Sequence, residues 1–234
     1  MTGKVAFVTG VGPGTGASVV RRFASGGFEV AMLARDADRL ASLEAEIDGA
    51  RAFPCNVLDA EALLDVCDRV RAEMGAPSVV VHNAVGAAFG SFLDLKPSAL
   101  ERNFRINTMT LLHLGQAFAP AMIEAGEGAF IVTGNTSAHR GKPRFAGFAP
   151  TKAAQRILAQ AMARDIGPKG VHVAYVTIDA MIDLEWTRAG PGKDKPDDYF
   201  INPAAIAEEI WHVAHQDRSA WSFDVEIRPF GEVW

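Results

Sequence analysis

The sequence predicts an α/β fold: a doubly wound parallel sheet of about seven strands with helices on both faces. Three observations predict it. Short apolar runs alternate with helical patterns from one end of the 234 residues to the other, which is the rhythm of βαβ units. The runs are nearly continuous in apolar residues, as in Phe28-Glu29-Val30-Ala31-Met32-Leu33-Ala34, and so suit strands covered on both faces. A glycine-rich turn separates the first strand from the first helix, where open sheets of this kind gather their ligands.

Taken in order, the first strand falls at 4–8 (Lys4-Val5-Ala6-Phe7-Val8) and begins almost at the start methionine, so no signal peptide is expected. A helix at 14–26 follows the glycine turn. Strands at 28–34 and 51–55 then alternate with helices at 37–48 and 59–74, and a fourth strand comes at 78–82. The long periodic stretch 97–125 reads as a helix in two parts. Beyond it lie a strand at 128–134, a helix at 147–167, a strand at 171–178, a helix at 203–216 and a last strand at 222–228. Right-handed crossovers wind such a chain into one sheet. No repeat or linker breaks the rhythm, so residues 1–234 are expected to form one domain. The exception is 183–201, which holds Gly190-Pro191-Gly192-Lys193-Asp194-Lys195-Pro196-Asp197-Asp198. A polar, Pro/Gly-rich stretch just past the sixth strand reads as a substrate lid.

Composition narrows the function. Apolar types make 49% and charged types 22% of the chain, the balance of an ordinary globular protein rather than a disordered one. Lys and Arg number 23 against 28 Asp and Glu, so no basic surplus exists to neutralise a nucleic acid. No apolar stretch reaches the roughly 20 residues of a membrane span. Cys55 and Cys67 have neither CxxC nor zinc spacing and read as thiols of a reducing, cytoplasmic compartment. His212 and His215 lack a third ligand, so no metal site is expected.

The strongest signal is Thr9-Gly10-Val11-Gly12-Pro13-Gly14-Thr15-Gly16. Glycines there permit positive φ and close backbone approach. The helix that follows offers unpaired N–H groups and a positive dipole end to a pyrophosphate. With strand, turn and helix in this order, the segment reads as a nucleotide-binding turn. It resembles the TGxxxGxG turn of the short-chain dehydrogenase/reductase family, with Thr9, Gly10, Gly14 and Gly16 in the matching places. The resemblance extends over nearly the whole chain. It implies a seven-stranded Rossmann-like sheet, a nicotinamide cofactor and a homodimer or homotetramer. The family's subunit contacts use the helices at about 97–125 and 147–167, where Leu111, Leu112, Leu114, Phe118, Ile157, Leu158 and Met162 permit association.

Charge argues for NADP(H) ahead of NAD(H). An acidic residue after the second strand would hold the ribose hydroxyls of NAD, whereas an Arg accommodates the 2′-phosphate of NADP. Ala34 occupies the family's acidic position and Arg35 follows, with Arg39 one turn on. Asn56-Val57 stands where the family has Asp-Val near the adenine. His82-Asn83-Ala84-Val85 stands where it has Asn-Asn-Ala-Gly, and Asn83 is retained as a cofactor-site residue.

The resemblance also implies where the chemistry sits. Lys152 matches the family's Lys, which holds the nicotinamide ribose, and Asn107 matches the helix Asn that holds a proton-relay water. The other two positions differ. Phe148 stands at the Tyr position, giving FxxxK for YxxxK, and a benzene ring has no proton to give or take. The Ser position falls on Asn135, counted either back from Phe148 or forward from Gly128, with Thr136 and Ser137 next to it. Ser137, His139 and Tyr199 are candidate replacement donors, while Tyr175 reads as core. The family's Pro-Gly after the sixth strand is also missing; Asp179 and Asp183 there are candidates for loop geometry or contact with a polar substrate. Trp186, Phe200 and Trp234 are candidate pocket or core residues. Two functions follow. One is an NADP(H)-dependent oxidoreductase of the divergent Phe-for-Tyr type, acting on an unidentified carbonyl, alcohol or activated alkene. The alternative is a catalytically impaired NADP(H)-binding protein acting as redox sensor or partner subunit.

Overall fold

The computed structural model describes residues 4–231; Trp234 lies outside them. Seven parallel strands form one sheet, in the order β3-β2-β1-β4-β5-β6-β9. They are β1 (Lys4–Thr9), β2 (Phe28–Ala34), β3 (Ala50–Pro54), β4 (Val79–His82), β5 (Gly128–Gly134), β6 (Val171–Ile178) and β9 (Asp224–Ile227). The helices are α1 (Thr15–Ser25), α2 (Ala37–Glu46), α3 (Ala60–Glu73), α4 (Pro97–Phe104), α5 (Thr110–Ala125), α6 (Ala149–Ile166), α7 (Glu185–Ala189) and α8 (Pro203–Ala214).

Side-chain alternation divides the core between the two faces of the sheet. Along β1, Ala6 and Val8 join one buried cluster with Val19, Phe23, Leu40, Ile206 and Ile210. Val5 and Phe7 point the other way and join Leu63, Leu111, Leu114, Phe118 and Ala159. Tyr175 is fully buried in this second cluster. Leu111, Leu114 and Phe118 are therefore spent on the chain's own core and are not free for subunit contact. Of the seven apolar residues expected to serve association, only Ile157 is an exposed large hydrophobic; Phe104, at the end of α4 and outside those seven, is also exposed.

Local sequence explains the helix ends. Asp36 and Asp59 cap α2 and α3 through their carboxylates, and Asn202 followed by Pro203 opens α8, all strong start signals. The expected two-part helix at 97–125 is α4 and α5 joined by a π-helical turn, Arg105–Met109. Such wide turns redirect backbone carbonyls out of the regular ladder.

The strand order reverses between β1 and β4, so the loops after these strands diverge and leave a crevice at the carboxyl end of the sheet. The segment 183–201 is more structured than a bare loop. Two short parallel strands, β7 (Met181–Ile182) and β8 (Phe200–Ile201), bracket α7 and a 3₁₀ turn at Asp197–Tyr199. Arg188 ties this segment together, donating to Asp183 at 2.5 and 2.9 Å and to Asp197 at 2.6 Å. Asp183 thus sets loop geometry, and the guanidinium beside it lowers its pKa.

Candidate functional site

The glycine turn is shaped by backbone necessity. Gly10 has φ +70°, and a Cβ there would lie 2.5 Å from the Ala84 nitrogen. At Gly16 a Cβ would meet the Gly10 carbonyl oxygen at 2.4 Å, and at Gly14 the Leu184 side chain at 3.0 Å. At Gly10 and Gly16, where the neighbour is backbone, only glycine permits this closeness. Asn83 locks the turn to β4 and β5. Its amide donates to the Gly10 carbonyl at 2.9 Å, and its Oδ1 accepts from the Thr133 hydroxyl at 3.1 Å. The Thr9 hydroxyl accepts from the backbone N–H groups of Asn83 and Ala84 at 3.1 and 3.2 Å.

A cavity of about 630 Å³ opens over this turn. It brings together Gly10, Gly12, Gly14, Thr15, Gly16, Arg35, Asn56, Val57 and Asn83. Its lining also includes residues that the sequence did not single out for the site, among them Asp36, Arg102, Ile182 and Leu184. Asp36 matters because it occupies Arg39, accepting from the Arg39 backbone N–H and pairing with its guanidinium, both at 3.0 Å. Arg35 is exposed and has no such tie among the described residues. The cavity fits a dinucleotide by its own chemistry. The Thr15 hydroxyl oxygen, on a residue 6% exposed, has no hydrogen-bond partner among the described residues, and α1 begins there with no side-chain cap. An uncapped helix start with a spare hydroxyl is a phosphate cradle.

A second cavity of about 450 Å³ adjoins the first, and Ile182 and Leu184 line both. Its walls include Phe89, Phe145, Met181, Trp186 and Tyr199, with Asn135, Thr136, Ser137, Lys142 and Asp179 as polar members. The three candidates at the Ser position differ in freedom. Asn135 donates to the Ile178 carbonyl at 3.1 Å and accepts from the Ser137 backbone N–H at 2.9 Å. Thr136 gives its hydroxyl proton to Asp179 at 2.7 Å. The Ser137 hydroxyl takes part in neither. His139 is exposed and lines neither cavity, whereas Phe200 is buried under the Arg188 guanidinium.

Phe148 is buried against Phe89, with ring centroids 5.6 Å apart. Lys152 lies one turn on, its amine 5.9 Å from the Phe148 ring centroid. The amine lines neither cavity. It donates to the Thr133 carbonyl at 3.0 Å and to Gln155 Oε1 at 2.9 Å. Burial lowers its pKa to about 7. Asn107 sits in the π-helical turn with its side chain fully committed: Oδ1 accepts from the Gly86 N–H at 2.9 Å, and Nδ2 donates to the Gly86 carbonyl and the Thr151 hydroxyl, both at 2.8 Å. Its backbone carbonyl accepts from Gln155 Nε2 at 2.8 Å and pairs with His82 Nε2 at 3.1 Å. His82 is 1% exposed, and burial, together with the Lys152 charge, lowers its pKa to about 4. Its neutral ring donates from Nε2 to Asn107 and accepts from the Thr9 hydroxyl at Nδ1, 3.0 Å away.

The family model described as short chain dehydrogenase matches residues 4–182. A protein of Escherichia coli (strain K12) named cyclic-di-GMP-binding biofilm dispersal mediator protein is 31% identical over 195 residues, 82% of this chain and 79% of its own. Carbonyl reductase (NADPH) 2 of Sus scrofa is 30% identical over 176 residues, 75% and 70% of the two chains. Among solved structures, a metagenomic short-chain oxidoreductase in complex with NADP superposes with a TM-score of 0.83 at 27% identity, covering 97% of both chains. Among the described residues no helix is long and apolar enough to cross a membrane.

Proposed function

The chain belongs to the short-chain dehydrogenase family, and on that premise we propose that it is an NADP(H)-dependent oxidoreductase with an altered proton donor. Its substrate is a carbonyl, an alcohol or an activated alkene. The observation that carries this reading is the junction of the two cavities at Ile182 and Leu184. It sets a phosphate cradle beside a chamber of the size and polarity of a small-molecule site.

In this reading Gly10, Gly12, Gly14, Thr15 and Gly16 hold the pyrophosphate, Asn56 and Val57 border the adenine, and Asn83 fixes the turn. Arg35 meets the 2′-phosphate, since a guanidinium pairs well with phosphate and Arg39 is engaged by Asp36. Lys152 backs the ribose end of the site from behind the cavity wall, its amine fixed by Thr133 and Gln155. The bound cofactor supplies or accepts the hydride. Ser137 polarises the substrate oxygen, because Asn135 and Thr136 are held by other partners. Phe148 provides no proton, so water in the open chamber serves, at a rate cost of about 10²–10⁴-fold. The chain is read as one cytoplasmic domain with 183–201 as a tied substrate lid. It forms a homodimer or homotetramer through α4, α5 and α6, where Phe104 and Ile157 are exposed.

One observation favours the second reading, nucleotide binding without turnover. The E. coli relative is named for binding a nucleotide rather than for a reaction. A panel of ketones, aldehydes and enones, assayed for NADPH consumption, separates the two. Consumption that falls at least about tenfold in Ser137→Ala supports the oxidoreductase. Tight NADPH binding with no consumption on any substrate favours the binding protein.

A further inference from the structure

Behind Phe148 lies a chain of buried polar groups of which the proposed chemistry uses only Lys152. Lys152 is 3% exposed, and Gln155 and Asn107 are fully buried. Residues 152 and 155 are three apart on α6, the spacing at which helix side chains meet. The Gln155 carboxamide uses both ends here: Oε1 accepts from the Lys152 amine at 2.9 Å, and Nε2 donates to the Asn107 carbonyl at 2.8 Å. A carbonyl oxygen has two lone pairs, and the Asn107 oxygen spends the second on His82. A water joining Lys152 to Asn107 would need an acceptor that is already full.

We propose that Gln155 is a positioning residue that seals Lys152: its carboxamide fills the place a relay water would take between the Lys152 amine and the Asn107 carbonyl. The amine is thereby fixed in direction and cut off from proton exchange with bulk solvent. This rests on the proposed function only in its consequence, that Lys152 holds its ligand without supplying protons to it. The seal itself rests on geometry. The π-helical turn presents the Asn107 carbonyl, α6 presents the amide, β5 supplies the Thr133 carbonyl to the amine, and the Phe148 ring lies over the amine. Two other titratable groups face this network: His82, itself neutral and bonded at both nitrogens, and Tyr175, whose hydroxyl donates to the Lys152 backbone carbonyl at 3.4 Å.

Nuclear magnetic resonance of nitrogen-15-lysine-labelled protein tests the seal, with the Lys152 signal assigned by its loss in Lys152→Arg. In the wild type the Lys152 amine protons should exchange at least about tenfold more slowly than those of exposed lysines such as Lys142. Gln155→Ala opens a polar gap that water can enter, and exchange should accelerate at least about tenfold. Gln155→Met keeps the volume while removing both hydrogen bonds, so the Lys152 titration midpoint should fall further as the ammonium loses an acceptor. Wild-type Lys152 exchanging as fast as Lys142 would overturn the proposal, as would variants that leave both exchange and titration unchanged. NADPH titrated into the same samples keeps the two ideas apart, since loss of binding sinks the cofactor assignment while the exchange rates judge Gln155 independently.

Discussion

Removing the buried amine should change how stability depends on pH. Burial lowers the Lys152 pKa from 10.5 to about 7. Between those values the unfolded chain carries a proton that the folded chain has given up, so stability rises with pH. The limiting slope is about 1.4 kcal/mol per pH unit. Over the two units from about pH 7.5 to about 9.5 the wild type should gain on the order of 2–3 kcal/mol from this group. Lys152→Met removes that gain. It also leaves the Thr133 carbonyl and Gln155 Oε1 without their donor, a loss of about 1–3 kcal/mol for each buried group left unsatisfied. Urea unfolding of both proteins at several pH values in that window gives the two stabilities, and other titrating groups cancel in their difference. The gap between wild type and variant should widen steadily as pH rises. Parallel curves would refute the claim that Lys152 is held as a buried amine.

Four further outcomes follow from the geometry. His82 works in the acid range: with its pKa lowered to about 4 from 6.5, stability should fall as pH drops between those values, by about 3 kcal/mol in all, and His82→Gln should flatten that part of the acid-unfolding curve. Gly10→Ala places a Cβ 2.5 Å from the Ala84 nitrogen at φ +70°; it should cost about 2 kcal/mol or more in thermal unfolding and weaken NADPH binding. Arg35→Asp should shift preference towards NADH by at least about tenfold, since a bidentate phosphate contact is replaced by repulsion; unchanged selectivity in fluorescence titration would remove Arg35 from the 2′-phosphate site. Phe148→Tyr adds a phenol beside the Lys152 amine and, on any substrate the wild type turns over, should raise kcat by up to about 10²–10⁴-fold. No rise in steady-state rate would mean that more than the phenol is missing.

The sheet was legible because its signals are local. Continuous apolar runs such as 28–34 give buried strands, and helical patterns separate them. The glycine turn was equally plain, since Gly10 and Gly16 meet a steric demand that no other residue satisfies. The partners of those residues were not legible. Leu184 lies some 170 residues from Gly14 in the chain and reaches it only because the segment after β6 folds back over the first turn. The role of Asp36 is not visible in the sequence, because one carboxylate serves both as cap and as counter-ion to Arg39 only in the folded chain. Leu111, Leu114 and Phe118 suggested an association surface, yet a helix stripe reads the same whether it meets another subunit or its own sheet. Gln155 stood three residues from Lys152 in plain view. Its significance depends on a π-helical turn that turns the Asn107 carbonyl towards it, and no sequence period announces such a turn.

The cavity above the glycine turn is tested by fluorescence titration with NADPH and NADH. NADPH should bind saturably, tighter than NADH by at least about tenfold through Arg35, and its binding should be lost in Gly10→Ala. Failure to bind either nucleotide, or a preference for NADH, would contradict the NADP(H) assignment.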